Sequence, residues 1–474
     1  MMEKLFGLKE HNTSVRTEIL AGLTTFMAMA YILMVNSGMF SDPYGSGENL
    51  LGVSYGAIYI ATAISAVVGS LLIGLLANLP LAQASGMGLN AFFVYTVCLT
   101  FGLSYANALV LVLIDGIIFI LLTVTGLRRL IFTAIPDAVR KAIPAGIGLF
   151  IAFIGLQNAK IIVPSSSTGV TLASFNLISG ANSWASIMPM LVAVIALCVI
   201  AILSKKNVRG AVLWGILGGA ALYYILGFVS VEGFAAGVQA SLHVDFIGPF
   251  KDFFGQAFGK VFTEGFHFAP YIAEHGTGNF ILMFATTALA FCMVDMFDTL
   301  GTLYGACARG NMLTEKGEVP NMDKAMLCDA LATTTGAICG TSTVTTFVES
   351  AAGVAEGGRT GLAAVSTAVF FFIAMFLAPV AALIPSCATA AALIYVGVLM
   401  IACVKELDWH DPAVALPSFL TMAMMPFSYN ISFGIAFGLI AYVIIKTFTG
   451  KIKEVKAGTW VITLLFLLML FLTH

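Results

Sequence analysis

The chain has 474 residues, of which 59% are apolar and 10% charged, with a mean hydropathy of +1.00 and a formal net charge of −2. A soluble domain carries about 25% charged residues, so the composition excludes one and marks a polytopic membrane protein. The near-neutral balance offers no basis for nucleic-acid binding or for a strongly charged surface partner.

Met1 to Arg16 is polar and lacks a signal-peptide cleavage pattern, so the first span is expected to serve as its own insertion signal and to remain. A spanning helix needs about 20 mainly apolar residues. That rule predicts spans near 18–35, 53–78, 83–99, 106–126, 138–159, 185–203 and 210–228. A polar, aromatic stretch follows at 231–276. A second series is predicted near 278–304, 326–340, 344–355, 361–380, 386–404, 413–427 and 430–447. The reading is all-α: about fourteen spans in a seven-plus-seven arrangement, with an interrupted third member in each set. An odd number of spans per repeat inverts one half relative to the other. The apolar run 459–473 is left over, either as a further span or as a helix at the interface.

Lys and Arg cluster in the loops that this topology places inside: Arg128, Arg129, Arg140 and Lys141; Lys205, Lys206 and Arg209; Arg309, Lys316 and Lys324; and Lys451, Lys453 and Lys456. Loops 36–52 and 162–184 are assigned to the other side, which sets the N-terminus in the cytoplasm. Arg128 to Lys141 and residues 245–262 read as amphipathic anchors at the two interfaces.

The two interrupted segments are the most informative. The first is Gln83-Ala84-Ser85-Gly86-Met87-Gly88-Leu89-Asn90-Ala91-Phe92-Phe93. The second is Gly340-Thr341-Ser342-Thr343-Val344-Thr345-Thr346-Phe347-Val348-Glu349-Ser350-Ala351-Ala352-Gly353. Both carry glycine, hydroxyls and a polar side chain where a lipid-facing helix carries leucine. Irregular backbone at membrane depth is tolerated only where protein or a water-filled cavity covers it. A pair of such breaks in corresponding places points to a carrier's binding site.

The predicted spans also hold Asp115, Asp295, Asp298, Asp329 and Glu349, with no Lys or Arg well inside any of them. Each acid costs about 2.5–3.5 kcal/mol near the bilayer centre on insertion scales. Burial without a cation disfavours a charged carboxylate, which suits a group that loads and releases a proton. All six His residues fall outside the predicted spans, so histidine is not expected to carry protons. Asp295 and Asp298, three residues apart, share a helical face. Asp298 and Glu349 are expected to line the cavity, whereas Asp115 and Asp329 read better as buried acids bonded to Ser, Thr or backbone. Asn90 is the counterpart of Glu349 in the first half; its amide either touches a ligand or ties the broken helix to its neighbour. Gly86 and Gly88 permit backbone geometry and close helix approach. The eight Cys include no CxxC pair and read as buried free thiols.

The stretches Ser85 to Phe93, Asp295-Met296-Phe297-Asp298-Thr299-Leu300-Gly301-Thr302 and Thr345-Thr346-Phe347-Val348-Glu349-Ser350 resemble the AzgA-like purine permeases of the nucleobase–cation symporter superfamily. So does Gly353-Val354-Ala355-Glu356-Gly357-Gly358-Arg359-Thr360-Gly361-Leu362. The likeness runs over nearly the whole chain. It implies a seven-plus-seven inverted repeat with core and gate domains, and short antiparallel strands in the third and tenth spans with substrate between them. The core would take residues 1–135 and 278–380, and the gate 136–230 and 381–450. Residues 231–277 would form an extracellular connection, and 451–474 a C-terminal segment. The resemblance also implies import of hypoxanthine, guanine, adenine or xanthine with protons, across the plasma (inner) membrane, often by dimers. The expected substrate-binding set is Asn90, Asp298, Glu349, Gly88 and Phe347, with Asp298, Asp295 and Glu349 handling protons. The expected partners are a purine nucleobase, protons, the lipid bilayer and a second copy of the chain, with no cofactor and no metal.

A purine is flat, mostly neutral and edged with N–H donors and ring-nitrogen acceptors. A carboxylate can accept two parallel N–H bonds from such an edge. Of Phe92, Phe93 and Phe347, near enough in sequence to cover ring faces, most read better as core packing. The alternatives are a carrier of another neutral nucleobase such as a pyrimidine, or an ion channel. A channel needs a ring-like filter or a continuous polar stripe, and neither is visible. An enzyme is not expected, since no spanning His and no HExxH motif is present.

Overall fold

The computed structural model describes residues 2–126, 134–177, 182–241, 245–315 and 318–472. Of the expected interfacial helix from Arg128 to Lys141, residues 128–133 lie outside them, and the described end opens a long helix from Asp137. In chain order the main elements are α1 (Val15–Met29), α2 (Tyr31–Ser41), α3 (Tyr55–Leu72), β1 (Gln83–Ser85), α4 (Met87–Ala91) and α5 (Tyr105–Thr125). Then come α6 (Asp137–Asn158), β2 (Ile162–Ser165), β3 (Gly169–Leu172), α7 (Trp184–Lys205) and α8 (Ala211–Ser230). The second half has α9 (Thr277–Arg309), α10 (Met322–Cys339), β4 (Val344–Thr346), α11 (Ser350–Ala355) and α12 (Gly361–Ala374). It closes with α13 (Ser386–Met400), α14 (Pro412–Ser428), α15 (Ile431–Phe448) and α16 (Ala457–Leu472).

Ten described helices are long and apolar enough to cross a membrane, and Met87–Thr100, Pro412–Ser428 and Ala457–Phe471 are shorter apolar helices. This is a mostly helical, multi-pass membrane protein. α10 is outside the ten because Asp323, Lys324, Asp329 and the threonines 333–335 dilute its hydropathy.

Helix starts follow local chemistry. Ser14, Ser54, Ser104 and Ser183 each stand in extended backbone and accept an amide N–H from the first turn, the ordinary N-cap arrangement. At the C-terminus of α10, Gly340 has φ +91°, and a Cβ there would meet the Tyr105 hydroxyl at 2.6 Å. Only glycine fits that turn. Past α4 the chain winds as a π-helix from Phe92 to Thr100, and α3 likewise ends in π geometry over Ile73–Ala77. Such distortions are frequent beside functional sites.

The helices gather in two packing groups. In one, α1 packs on α12, α3 on α10 and α12, and α5 on α9 and α10; β1 lies against α3 and β4 against α10. In the other, α6 packs on α13 and α14, α7 on α8 and α13, and α14 on α15. α16 lies against α15 and α9, which gives the leftover apolar run a docking place. The stretch 245–262 folds as short pieces, Gly248–Asp252, Phe253–Ala257 and Lys260–Thr263, instead of one amphipathic helix. The hairpin β2–β3 falls within the loop predicted at 162–184. All eight cysteines are unpaired; most are buried, but Cys198 is exposed, facing outward from α7.

Candidate functional site

The two interrupted segments meet. β1 and β4 pair antiparallel, with Gln83 opposite Thr346, Ala84 opposite Thr345 and Ser85 opposite Val344. Gly86 N donates to Thr343 O at 3.0 Å and Phe347 N to Ala82 O at 3.0 Å, extending the ladder at both ends. Each break thus satisfies the backbone groups that the other frees, as a buried interruption requires.

Asp298 projects from α9 toward this crossing. Its Oδ2 accepts from the Thr345 hydroxyl at 3.2 Å. Glu349 follows β4 directly, and its Oε1 accepts from the Tyr31 hydroxyl at 2.7 Å. Both acids are half-buried, and the two carboxyl groups act on one another electrostatically. The described ion pairs join Arg140 to Asp137, Arg209 to Glu356, Lys260 to Glu264 and Lys446 to Glu454. None of them involves a site acid.

Asn90 stands on α4, wholly buried. Its Oδ1 accepts from the Ser342 hydroxyl and its Nδ2 donates to Ser85 O at 3.4 Å. The amide therefore ties the β1–α4 joint to the loop preceding β4. At Gly88 an added Cβ would sit 2.5 Å from Ile147 Cγ2 on α6, so this glycine lets the two packing groups close on each other. Phe347 is buried beside the strand crossing. Phe92 packs on Phe291 with ring centroids 4.8 Å apart, and Phe93 stacks on Phe40 at 5.0 Å. Those two rings fill the core, leaving Phe347 as the aromatic nearest Glu349 in sequence.

Behind the strands lies a second set of carboxyls. Asp115 on α5, Asp295 on α9 and Asp329 on α10 are all fully buried and act on one another electrostatically. Asp329 Oδ1 accepts from Gln83 Nε2 at 3.1 Å and from the Thr346 hydroxyl at 3.3 Å, gripping both residues of one cross-strand pair. Asp295 Oδ2 accepts from Thr333 Oγ1 at 3.1 Å, which also contacts Val344 O and N. Among the described residues neither oxygen of Asp115 has a hydrogen-bond partner. Asp295 and Asp298, expected on one face, separate into these two environments, because a step of three residues turns a helix by about 60° from alignment. Among the described residues no group of three or more His, Cys, Asp or Glu could hold a metal ion.

A cavity of about 990 Å³ opens between α6 and the C-terminal half of α9. Phe297 and Gly301, which bracket Asp298 on α9, lie on its wall, opposite Arg140, Lys141 and Pro144. Its size is at the upper end of small-molecule sites.

The trailing glycine-rich motif is structural. Glu18, fully buried on α1, accepts from Arg359 N at 2.8 Å, Thr360 N at 3.3 Å and Ala363 N at 3.2 Å, capping α12. The Arg359 guanidinium donates to Val354 O and Gly358 O, each at 2.7 Å. Sequence reasoning missed Glu18, Tyr31 and Gln83. Only Glu18 and Gln83 carried a signal, as polar side chains at the edge of an apolar run.

Helices enclose a buried strand crossing with acids beside it, and residues next to Asp298 in sequence line a cavity. Similarity to known proteins says what class of protein this is, a permease and not an enzyme. The chain belongs to the Xan_ur_permease family, described as "Permease family", whose model matches residues 16–437. It is 38% identical to the guanine/hypoxanthine permease PbuG of Bacillus subtilis (strain 168), covering 99% of this chain and 100% of that one. It is 35% identical to the adenine permease AdeP of Escherichia coli (strain K12), covering 99% and 95%. Among solved structures, the transmembrane domain of a cyanobacterium bicarbonate transporter, BicA, aligns with a TM-score of 0.59 at 16% identity, over 90% of this chain and 97% of that one. Murine Slc26a9, an anion transporter in the inward-facing state, aligns at 0.60 and 11%, over 91% and 68%. These two show a shared fold.

Proposed function

We propose that the chain is a secondary carrier that imports purine nucleobases (hypoxanthine, guanine, adenine or xanthine) by proton symport with alternating access. The observation that carries the reading is the strand crossing, which brings Asp298 and Glu349 together with no described ion pair to either. A neutral, hydrogen-bonding ring suits such a site. An anion does not, although the solved neighbours of this fold are titled as bicarbonate and anion transporters. The printed names of the relatives, adenine permease and guanine/hypoxanthine permease, point the same way.

In this reading Glu349 accepts N–H groups of the purine edge, and strand-end backbone serves its acceptors. Phe347 and the Gly88 backbone, closed against Ile147, bound the ring, and Asn90 holds the joint that presents β1. Asp298 is the principal proton acceptor; Asp295 and Glu349 complete the set. The packing group of α1–α5 and α9–α12 acts as the core, and that of α6–α8 and α13–α15 as the gate. The cavity between α6 and α9 is then the path opened on one side, and its Arg140 and Lys141 wall suits a cytoplasmic face. The seven-plus-seven inverted repeat, with fourteen spans, a cytoplasmic N-terminus, the plasma membrane and a homodimer, completes the proposal. Counterflow of labelled hypoxanthine in proteoliposomes tests it: trans-side unlabelled purine must drive transient accumulation of label. Label that merely equilibrates would overturn the carrier reading.

A further inference from the structure

Tyr31 opens α2 just after Ala30, where the first apolar run is divided into two helices. It is buried, with 1% exposure. A buried tyrosine needs an acceptor for its hydroxyl, and the ordinary solution in this chain is a backbone carbonyl. Tyr55 donates to Ala381 O, Tyr59 to Ala374 O, Tyr95 to Pro43 O and Tyr105 to Gly340 O. Tyr31 instead donates to a carboxylate, Glu349 Oε1, at 2.7 Å from the opposite half of the chain. Asp298 also acts on it electrostatically.

We infer that Tyr31 is the positioning residue for Glu349: its hydroxyl fixes one carboxylate oxygen and so aims the other at the ligand. The inference rests on the reading of Glu349 as the acid that meets the purine edge. A free glutamate side chain samples several rotamers, and tethering one oxygen removes part of that freedom before the ligand arrives. The phenol occupies one of about four lone-pair sites on the carboxylate and the residue's own amide N–H another, which leaves acceptor capacity for a ligand. Phenylalanine at this position keeps the ring and its packing while removing only the donor.

The test is a double-mutant cycle on the purified full-length protein, with equilibrium binding of labelled hypoxanthine, guanine and adenine. Tyr31→Phe is expected to weaken binding on the order of tenfold, the scale of a hydrogen bond to a charged group. In a Glu349→Gln background the same change should alter binding by less than about twofold, because the group it positions is gone. Effects that multiply in the double variant would overturn the inference, as would unchanged affinity in Tyr31→Phe. If Glu349→Gln alone leaves binding intact while Tyr31→Phe weakens it, Tyr31 acts directly and the positioning role is refuted. A ligand-free readout separates this from failure of the purine reading. The infrared carboxyl band of Glu349, assigned by its loss in Glu349→Gln, should move in Tyr31→Phe. An unmoved band in a variant that melts like the wild type overturns the inference whatever the protein carries.

Discussion

Asp298 and Glu349 at the strand crossing, and Asp115, Asp295 and Asp329 a layer deeper, are the same chemistry put to two uses. The first two are half-buried, each held by a single hydroxyl, Thr345 or Tyr31, and Asp298 is bracketed by residues that line the cavity. The deeper three are sealed, and two of them grip the strands themselves through Gln83, Thr346 and Thr333. A lightly held acid next to open volume is available to a ligand or a proton. A sealed acid such as Asp329, with one oxygen shared by a cross-strand pair, stabilises the platform instead. The comparison separates residues whose loss should be read in transport from residues whose loss should be read in stability.

The largest effect is expected at Asp298. Asp298→Asn should abolish purine accumulation driven by a pH gradient while leaving counterflow and the melting temperature near wild type. Normal accumulation would move the coupling role to the deeper cluster and erase the distinction. Next comes Glu349→Gln, which should weaken purine binding by about 1.5–3 kcal/mol, the worth of a hydrogen bond to a charged group. Isothermal titration of the folded variant checks it, and unchanged affinity removes Glu349 from the ligand.

On the other side of the comparison, Asp329→Leu leaves Gln83 Nε2 and the Thr346 hydroxyl without their shared acceptor. Gln83 Nε2 keeps its bond to Thr346 Oγ1, but the lost buried hydrogen bonds should lower stability by about 1–3 kcal/mol, measured by unfolding in detergent, with a smaller loss of affinity per folded molecule than in Glu349→Gln. A stable Asp329→Leu protein that cannot bind purine would place the deeper acids in the site. The smallest effect is expected at Asn90, whose amide is committed to Ser342 and Ser85. Asn90→Ala should weaken hypoxanthine, guanine and adenine alike, by about 1 kcal/mol. A change in preference among them, seen in competition assays, would show that the amide touches substrate.

Much of this was legible in the sequence because the cost of polarity in lipid is high. Glycine and hydroxyls at 83–93 and 340–353 announced irregular backbone, and the five acids without cations in the predicted spans are found buried or half-buried around it. The register that sets Gln83 against Thr346 was not legible, since it depends on how two segments about 260 residues apart are brought together by packing. The split between Asp295 and Asp298 was hidden for a related reason: helical periodicity puts them on one broad face, and the neighbours decide which edge is cavity. Tyr31 looked like any aromatic in an apolar run. Only the fold supplies Glu349 as its partner. The β2–β3 hairpin went unread because its eight residues contain Pro164 and no clear alternation of apolar and polar positions.

The central claim is that this chain couples purine movement to protons through carboxylates at the strand crossing. Wild-type protein in proteoliposomes, given an inward proton gradient and labelled hypoxanthine, tests it most directly. The account predicts accumulation above the external concentration that collapses when a protonophore is added. Uptake that stops at equal concentrations and ignores the gradient would contradict it.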